Sequence, residues 1–350
     1  MDRISTATRD SLEEFLDQLA RKLDVESSVL VPFADYTEMI AALLEFASRE
    51  RKRLLIAGYA SPDVAIAVER AGLEATEILG PSPFVNHPED ILQAVASPDA
   101  LVYLANPNRV TGSNFSLHQL KRIAESIPNG LLIVDEKYHD FYGISALPLL
   151  ERLDNIVVIR SLTAGFSIAS DESGCLVGSP GFQAGFRNYY QWSRITTTML
   201  RLLLTSLSSG GAASKRLAQV HDESLRLANE LHRMGVQNRI TSADFLLLRV
   251  ADTTRVAASL VKSGLAVDNL ECYPDLKNYL RYRIQSPLSN DNLLSTFRRM
   301  PSEAYKMADV DKRAVMFHRP GETPHDYSAS RIASRLQASM ARPKSEEVPA

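Results

Sequence analysis

The chain has 350 residues, 45% of them hydrophobic and 23% charged, with a formal net charge of -3. That length predicts about two domains with large buried cores, and so small a net charge gives no electrostatic ground for nucleic-acid or anionic-membrane partners. Two cysteines without paired spacing, Cys175 and Cys272, argue against a disulfide framework and a zinc site. With no apolar leader and no stretch long enough to span a bilayer, a cytoplasmic protein is expected.

Leu12, Phe15, Leu16, Leu19, Ala20 and Leu23 fall at helical spacing and predict an amphipathic helix over 8–23, with a short strand after it at 28–31. A second helix follows over 36–48. Strands and helices then alternate: strand 54–57, helix 62–71, strand 74–78, helix 88–96, strand 101–104, helix 116–127. Strand 131–134 runs into Asp135-Glu136-Lys137-Tyr138, and strand 156–160 into Ser161. This rhythm predicts a mainly parallel sheet with right-handed crossovers, whose C-terminal edge is where ligands collect. Residues 182–234 read as mostly helical, ending in a long amphipathic helix from about 213. Strand-like runs at 244–250 and 279–284 and helices at 254–263 and 290–299 complete a smaller unit. Beyond 302 a helix over about 327–340 precedes an end rich in Pro, Lys and Glu, for which disorder is expected.

Several stretches, in order, carry a resemblance. They are Phe33-Ala34-Asp35-Tyr36-Thr37-Glu38, Gly58-Tyr59, Asn106-Pro107-Asn108-Arg109-Val110-Thr111-Gly112, Asp135-Glu136-Lys137-Tyr138 and Ser161-Leu162-Thr163-Ala164-Gly165-Phe166. Over roughly 10–300 the chain resembles the class I/II aminotransferases, the fold type I pyridoxal-phosphate enzymes, and within them the histidinol-phosphate aminotransferase branch. The resemblance implies an α/β fold: a three-layer αβα large domain over 28–210 and a smaller α+β C-terminal domain over 211–302. It also implies a shortened N-terminal arm at 1–27, an added segment at 303–350, and a homodimer or half of a heterodimer.

The resemblance also implies roles. Asp135 matches the carboxylate that keeps the coenzyme's pyridine nitrogen protonated, and Tyr138 the tyrosine at its 3-hydroxyl. Tyr59 matches the ring that stacks on the coenzyme, Ser161 a phosphate ligand, and Arg281 the arginine that grips the substrate carboxylate, where a planar fork suits bidentate binding. At other positions the chain departs from the family. The phosphate turn at Ala34-Asp35 has no glycine. Arg109 stands for Asn and Lys137 for a ring-facing Ala. Ala164 stands for the lysine that forms the Schiff base, and Glu172 for a phosphate-pairing Arg. An Arg-to-Glu reversal is worth on the order of 8 kcal/mol for a pair near 4 Å at an effective dielectric of about 20. On this ground no cofactor is expected, the ancestral pyridoxal phosphate being lost.

Beside these roles stand plainer ones. Lys137 can be an ion-pair partner of Asp135 or a displaced amine. Arg109 can neutralise Glu172 or bind an anion. Tyr59 and Tyr138 can be packing aromatics, and Ser161 a turn residue. The leading expectation is a divergent member that uses the pocket without the coenzyme on a small amino-acid-like or carboxylate ligand, as in specialised biosynthesis. Its catalytic candidates are Lys137, Asp135, Tyr138 and Arg109, and its substrate-binding candidates Arg281, Tyr59, Asn108, Ser161 and Glu172, with no metal. Two alternatives remain: an inactive subunit that binds a partner, and a coenzyme-dependent aminotransferase or decarboxylase using Lys137.

Overall fold

The computed structural model describes residues 6–49, 53–162, 173–190, 196–208 and 210–307. Ala164, Glu172 and the helix expected at 327–340 lie outside these residues.

Apolar runs bounded by turn residues make the strands of a seven-stranded sheet: β1 (Leu30–Phe33), β2 (Arg53–Ala57), β3 (Glu74–Ile78), β4 (Leu101–Ala105), β5 (Leu131–Glu136), β6 (Ile156–Ser161) and β7 (Gly174–Gly178). Their order is β1-β7-β6-β5-β4-β2-β3. The β6–β5–β4–β2–β3 neighbours pair in parallel, and β7 runs antiparallel to β6 and β1. Burial on both faces explains why β4 and the central stretches of β2, β5 and β6 read as apolar runs rather than alternating.

Alternate residues along each strand feed two cores. One face, with Val102, Leu104, Leu132 and Val134, packs on α1 (Thr6–Leu23) and α5 (Leu117–Ser126), with α4 (Pro88–Ala94) and α8 (Thr197–Ser208). The other, with Leu101, Tyr103, Ile133 and Ile159, packs on α2 (Tyr36–Ser48), α3 (Pro62–Arg70) and α7 (Pro180–Tyr189). The result is a helix–sheet–helix sandwich, the architecture expected from sequence.

The C-terminal part forms a second sheet, β10-β11-β9-β8, from β8 (Gln237–Ile240), β9 (Phe245–Arg249), β10 (Asp268–Asn269) and β11 (Tyr279–Arg283). One face of it carries α9 (Gly210–Arg233), α10 (Thr253–Lys262), α11 (Pro287–Arg299) and the short α12 (Ser302–Tyr305) around a core of its own. Its other face meets the large sheet's loops. Val110, Phe245, Leu247 and Leu276 pack there with Tyr59. Gly112 has φ +69°, and a Cβ on it would strike Thr241 of the small unit, so both the turn and the close approach require glycine.

Candidate functional site

β5 carries Asp135 one residue before its end, and the side chain follows Leu131 and Ile133 onto the α2/α3 side by strand alternation. It is fully buried. Its Oδ1 accepts from the Tyr36 hydroxyl at 2.7 Å and from the Lys137 backbone N–H at 3.0 Å. Its Oδ2 accepts from the Tyr103 hydroxyl at 2.5 Å and from Arg109 Nη1 at 3.3 Å. Arg109, 5% exposed, places its other nitrogen, Nη2, on Asp63 near the start of α3. One guanidinium thus bridges two carboxylates inside the protein, where an unpaired charge would be costly.

Tyr36 is the first residue of α2, and Asp35 caps that helix by accepting from the Glu38 N–H at 2.8 Å. Its ring reaches from the helix start to Asp135, with the Arg109 guanidinium 5.2 Å and Lys137 Nζ 5.0 Å from the ring centroid. Burial first, and then the Asp135 charge, raises the Tyr36 and Tyr103 hydroxyls well above the ordinary tyrosine range, so both stay protonated donors. Burial works against Arg109's charge, but Asp135 and Asp63 outweigh it and hold the guanidinium firmly protonated.

The expected residues gather unevenly. Lys137 is half-buried and does not pair with the Asp135 carboxylate through its amine, which lies over the Tyr36 ring. Arg109 occupies that ion-pair role, its carboxylate partners being Asp63 and Asp135. Tyr138 packs edge-on against Phe245, and burial pushes its hydroxyl up to about 12. Arg281 reaches from β11 to the Arg109 carbonyl through Nη1 and holds Asp268 through Nε at 2.9 Å.

Tyr59 donates to Asp275 at 2.5 Å and packs on Tyr273, both from the small unit. Asn108 is committed to its own turn: its Oδ1 accepts from the Val110 and Thr111 N–H groups at 2.9 and 3.0 Å, and its Nδ2 donates to the Tyr59 carbonyl. Ser161 is buried as the last residue of β6, paired in register with Gly174. Among the described residues Ser173 Oγ, on the residue opposite Leu162, is buried without a hydrogen-bond partner.

Sequence reasoning did not single out Tyr36, Tyr103 or Asp63. The tyrosines carried one usable signal, a hydroxyl in an otherwise apolar position of a buried element, which demands a partner.

A large mixed sheet sandwiched by helices, joined to a small sheet that covers its C-terminal edge, defines the fold type I aminotransferase architecture. The family description Aminotransferase class I and II matches residues 2–295, and the chain belongs to that family. Among curated relatives, the histidinol-phosphate aminotransferase of Caldanaerobacter subterraneus subsp. tengcongensis is 29% identical over 203 residues, 58% of this chain and 57% of that protein. The chain therefore spans little more than half the length of that relative. The histidinol-phosphate aminotransferase of Sinorhizobium meliloti in complex with pyridoxal-5'-phosphate superposes with a TM-score of 0.72 at 16% identity, covering 83% of this chain and 86% of that one. L-threonine-O-3-phosphate decarboxylase from Porphyromonas gingivalis gives 0.69 at 15% identity, over 81% and 87%.

These findings correct the expectation that no cofactor is used. The relatives are aminotransferases, and one of the structural neighbours carries pyridoxal phosphate. The expectation of loss rested on five changed positions, the Ala34-Asp35 turn, Arg109, Lys137, Ala164 and Glu172, of which the last two lie outside the described residues. What is described suits the coenzyme's ring end, because Asp135 is the buried strand-end carboxylate that a protonated pyridine nitrogen needs. Among the described residues no helix is long and apolar enough to cross a membrane, and no cluster of metal-ligating side chains occurs.

Proposed function

We propose that this chain is a pyridoxal-phosphate enzyme acting on a small amino-acid-like substrate, as an aminotransferase or a decarboxylase, with Lys137 as the amine that holds the coenzyme. The observation that carries the reading is the Lys137 amine 5.0 Å from the centroid of the aromatic ring that is hydrogen-bonded to Asp135. An amine above a ring docked on that carboxylate is where a coenzyme aldehyde would be met.

When bound, the coenzyme draws electrons from the substrate's α-carbon. The chain's own groups do the rest. Asp135 would pair with the protonated ring nitrogen, and Arg109 would hold that carboxylate in place through its contact at 3.3 Å. Tyr138, its hydroxyl pushed up to about 12, remains a donor at working pH. Arg281 offers its fork to the substrate carboxylate once Asp268, which is largely exposed, gives way. Ser161, the last residue of β6, would offer its hydroxyl on the phosphate side. The small sheet, packed over Tyr59, keeps water from the ring.

The test is chemical trapping. Purified chain is incubated with pyridoxal phosphate, reduced with borohydride and mapped by mass spectrometry. The coenzyme mass on Lys137, absent from Lys137→Ala, is the expected result. Labelling confined to other lysines, or none, overturns the assignment.

A further inference from the structure

We infer that Tyr36 is a latch on this site: its phenol fills the aromatic slot over Asp135, and a ring-bearing ligand reaches the carboxylate only as that phenol swings out. The inference rests on the reading above, in which Asp135 receives a pyridine-type ring.

The first argument is a count. An ionised carboxylate offers about four acceptor positions. Asp135 has four donors: the Tyr36 hydroxyl, the Lys137 N–H, the Tyr103 hydroxyl and Arg109 Nη1. A fifth donor, such as a protonated ring nitrogen, has to replace one of them.

The second argument concerns which one leaves. The Lys137 donor is main chain. Tyr103 lies in mid-strand on β4, whose backbone is paired on one side with β2 and on the other with β5. Arg109 is anchored a second time, on Asp63. Tyr36, by contrast, stands at the first residue of a helix, so a side-chain swing there disturbs no ladder. Its hydroxyl already shares itself with the Ile159 carbonyl at 3.3 Å, an acceptor that does not depend on Asp135.

The third argument is shape. The Tyr36 ring is fully buried, with the cations of Arg109 and Lys137 at 5.2 and 5.0 Å from its centroid and the Phe33 ring edge-on at 5.3 Å. Two cations and a carboxylate aimed at one flat ring form a recognition site for an electron-rich aromatic with one hydrogen-bond donor at its end. The chain's own phenol meets that description in full; a protonated pyridine ring shares its flat shape and its end-on donor to Asp135, but not its electron-rich face.

The test titrates pyridoxal phosphate, followed by its absorbance, into the full chain and into Tyr36→Phe, Tyr36→Ala and Tyr103→Phe. The Tyr36 variants should bind at least about tenfold more tightly than the natural chain, the loss of one hydrogen bond to a charged group. Tyr36→Phe retains the buried ring volume and so keeps the test open should Tyr36→Ala fail to fold. Tyr103→Phe frees an acceptor position but not the slot, and should show no gain. Equal affinity in the natural chain and the Tyr36 variants, or an equal gain in Tyr103→Phe, overturns the latch while leaving trapping at Lys137 intact. Binding by none of the four overturns the latch and the coenzyme reading together.

Discussion

Arg109 is the residue on which the pocket's charge balance turns. It faces Asp135 and Asp63 with 5% of its surface exposed, so Arg109→Ala would leave two carboxylates, one of them fully enclosed, without their cation. The expected cost is about 3–5 kcal/mol, read as a lower urea midpoint at unchanged slope. A variant with an unchanged urea midpoint would count against the bridge. The residue scale also marks how far the sequence could be read. Asp135, Arg109, Tyr138 and Arg281 are visible because each sits inside a local motif. The roles of Tyr36, although it lies in the Phe33–Glu38 stretch, and of Asp63 are not, because they reach the site only through contacts 99 and 46 positions apart, and no local pattern encodes that distance.

At the scale of elements, α5 shows how local chemistry sets a boundary. Ser116 accepts from the Gln119 N–H at 3.3 Å, and the Gln119 side chain returns the bond to the Ser116 N–H at 2.8 Å. Removing that box with Ser116→Ala should cost about 1 kcal/mol, measured by chemical denaturation, and leave coenzyme titration unchanged since α5 packs on the opposite face of the sheet. Most helices and the parallel strands were readable from periodicity in this way. Three strands were less so. β1 lies two residues later than expected and carries Pro32, tolerated because β1 is an edge strand. β7 reads Gly-Cys-Leu-Val-Gly, a short apolar run that periodicity cannot assign, and its Gly174 is required where a Cβ would strike the Arg160 carbonyl and the Phe33 ring. β8 is polar and mostly exposed, and is a strand only because β9 pairs with it.

The molecule as a whole keeps several phenols out of water, and this sets its response to alkali. Tyr36 and Tyr103 are raised well above the usual range by burial, and Tyr138 to about 12. An unfolded chain releases such protons near pH 10 while the folded one retains them, so between those values the unfolded state binds fewer protons and stability falls as pH rises. The contribution is complete below about pH 10 and is lost toward 12 for Tyr138. Thermal melts across that range should show a steeper decline than melts of Tyr138→Phe; identical slopes would remove this account. Hydrophobic alternation made the sandwich and its smaller companion legible, since two buried faces leave a simple mark on the chain. The way the two units meet did not show, because it depends on single contacts such as Gly112 against Thr241.

Arg109 is held at both ends. Its guanidinium belongs to the large sheet through Asp135, while its carbonyl is taken by Arg281 of the small one. If the proposed function holds, a substrate carboxylate that recruited Arg281 would tug at the same residue that steadies Asp135. Occupancy at one end would then be energetically tied to occupancy at the other, and whatever factor the first ligand lent the second would be returned in equal measure.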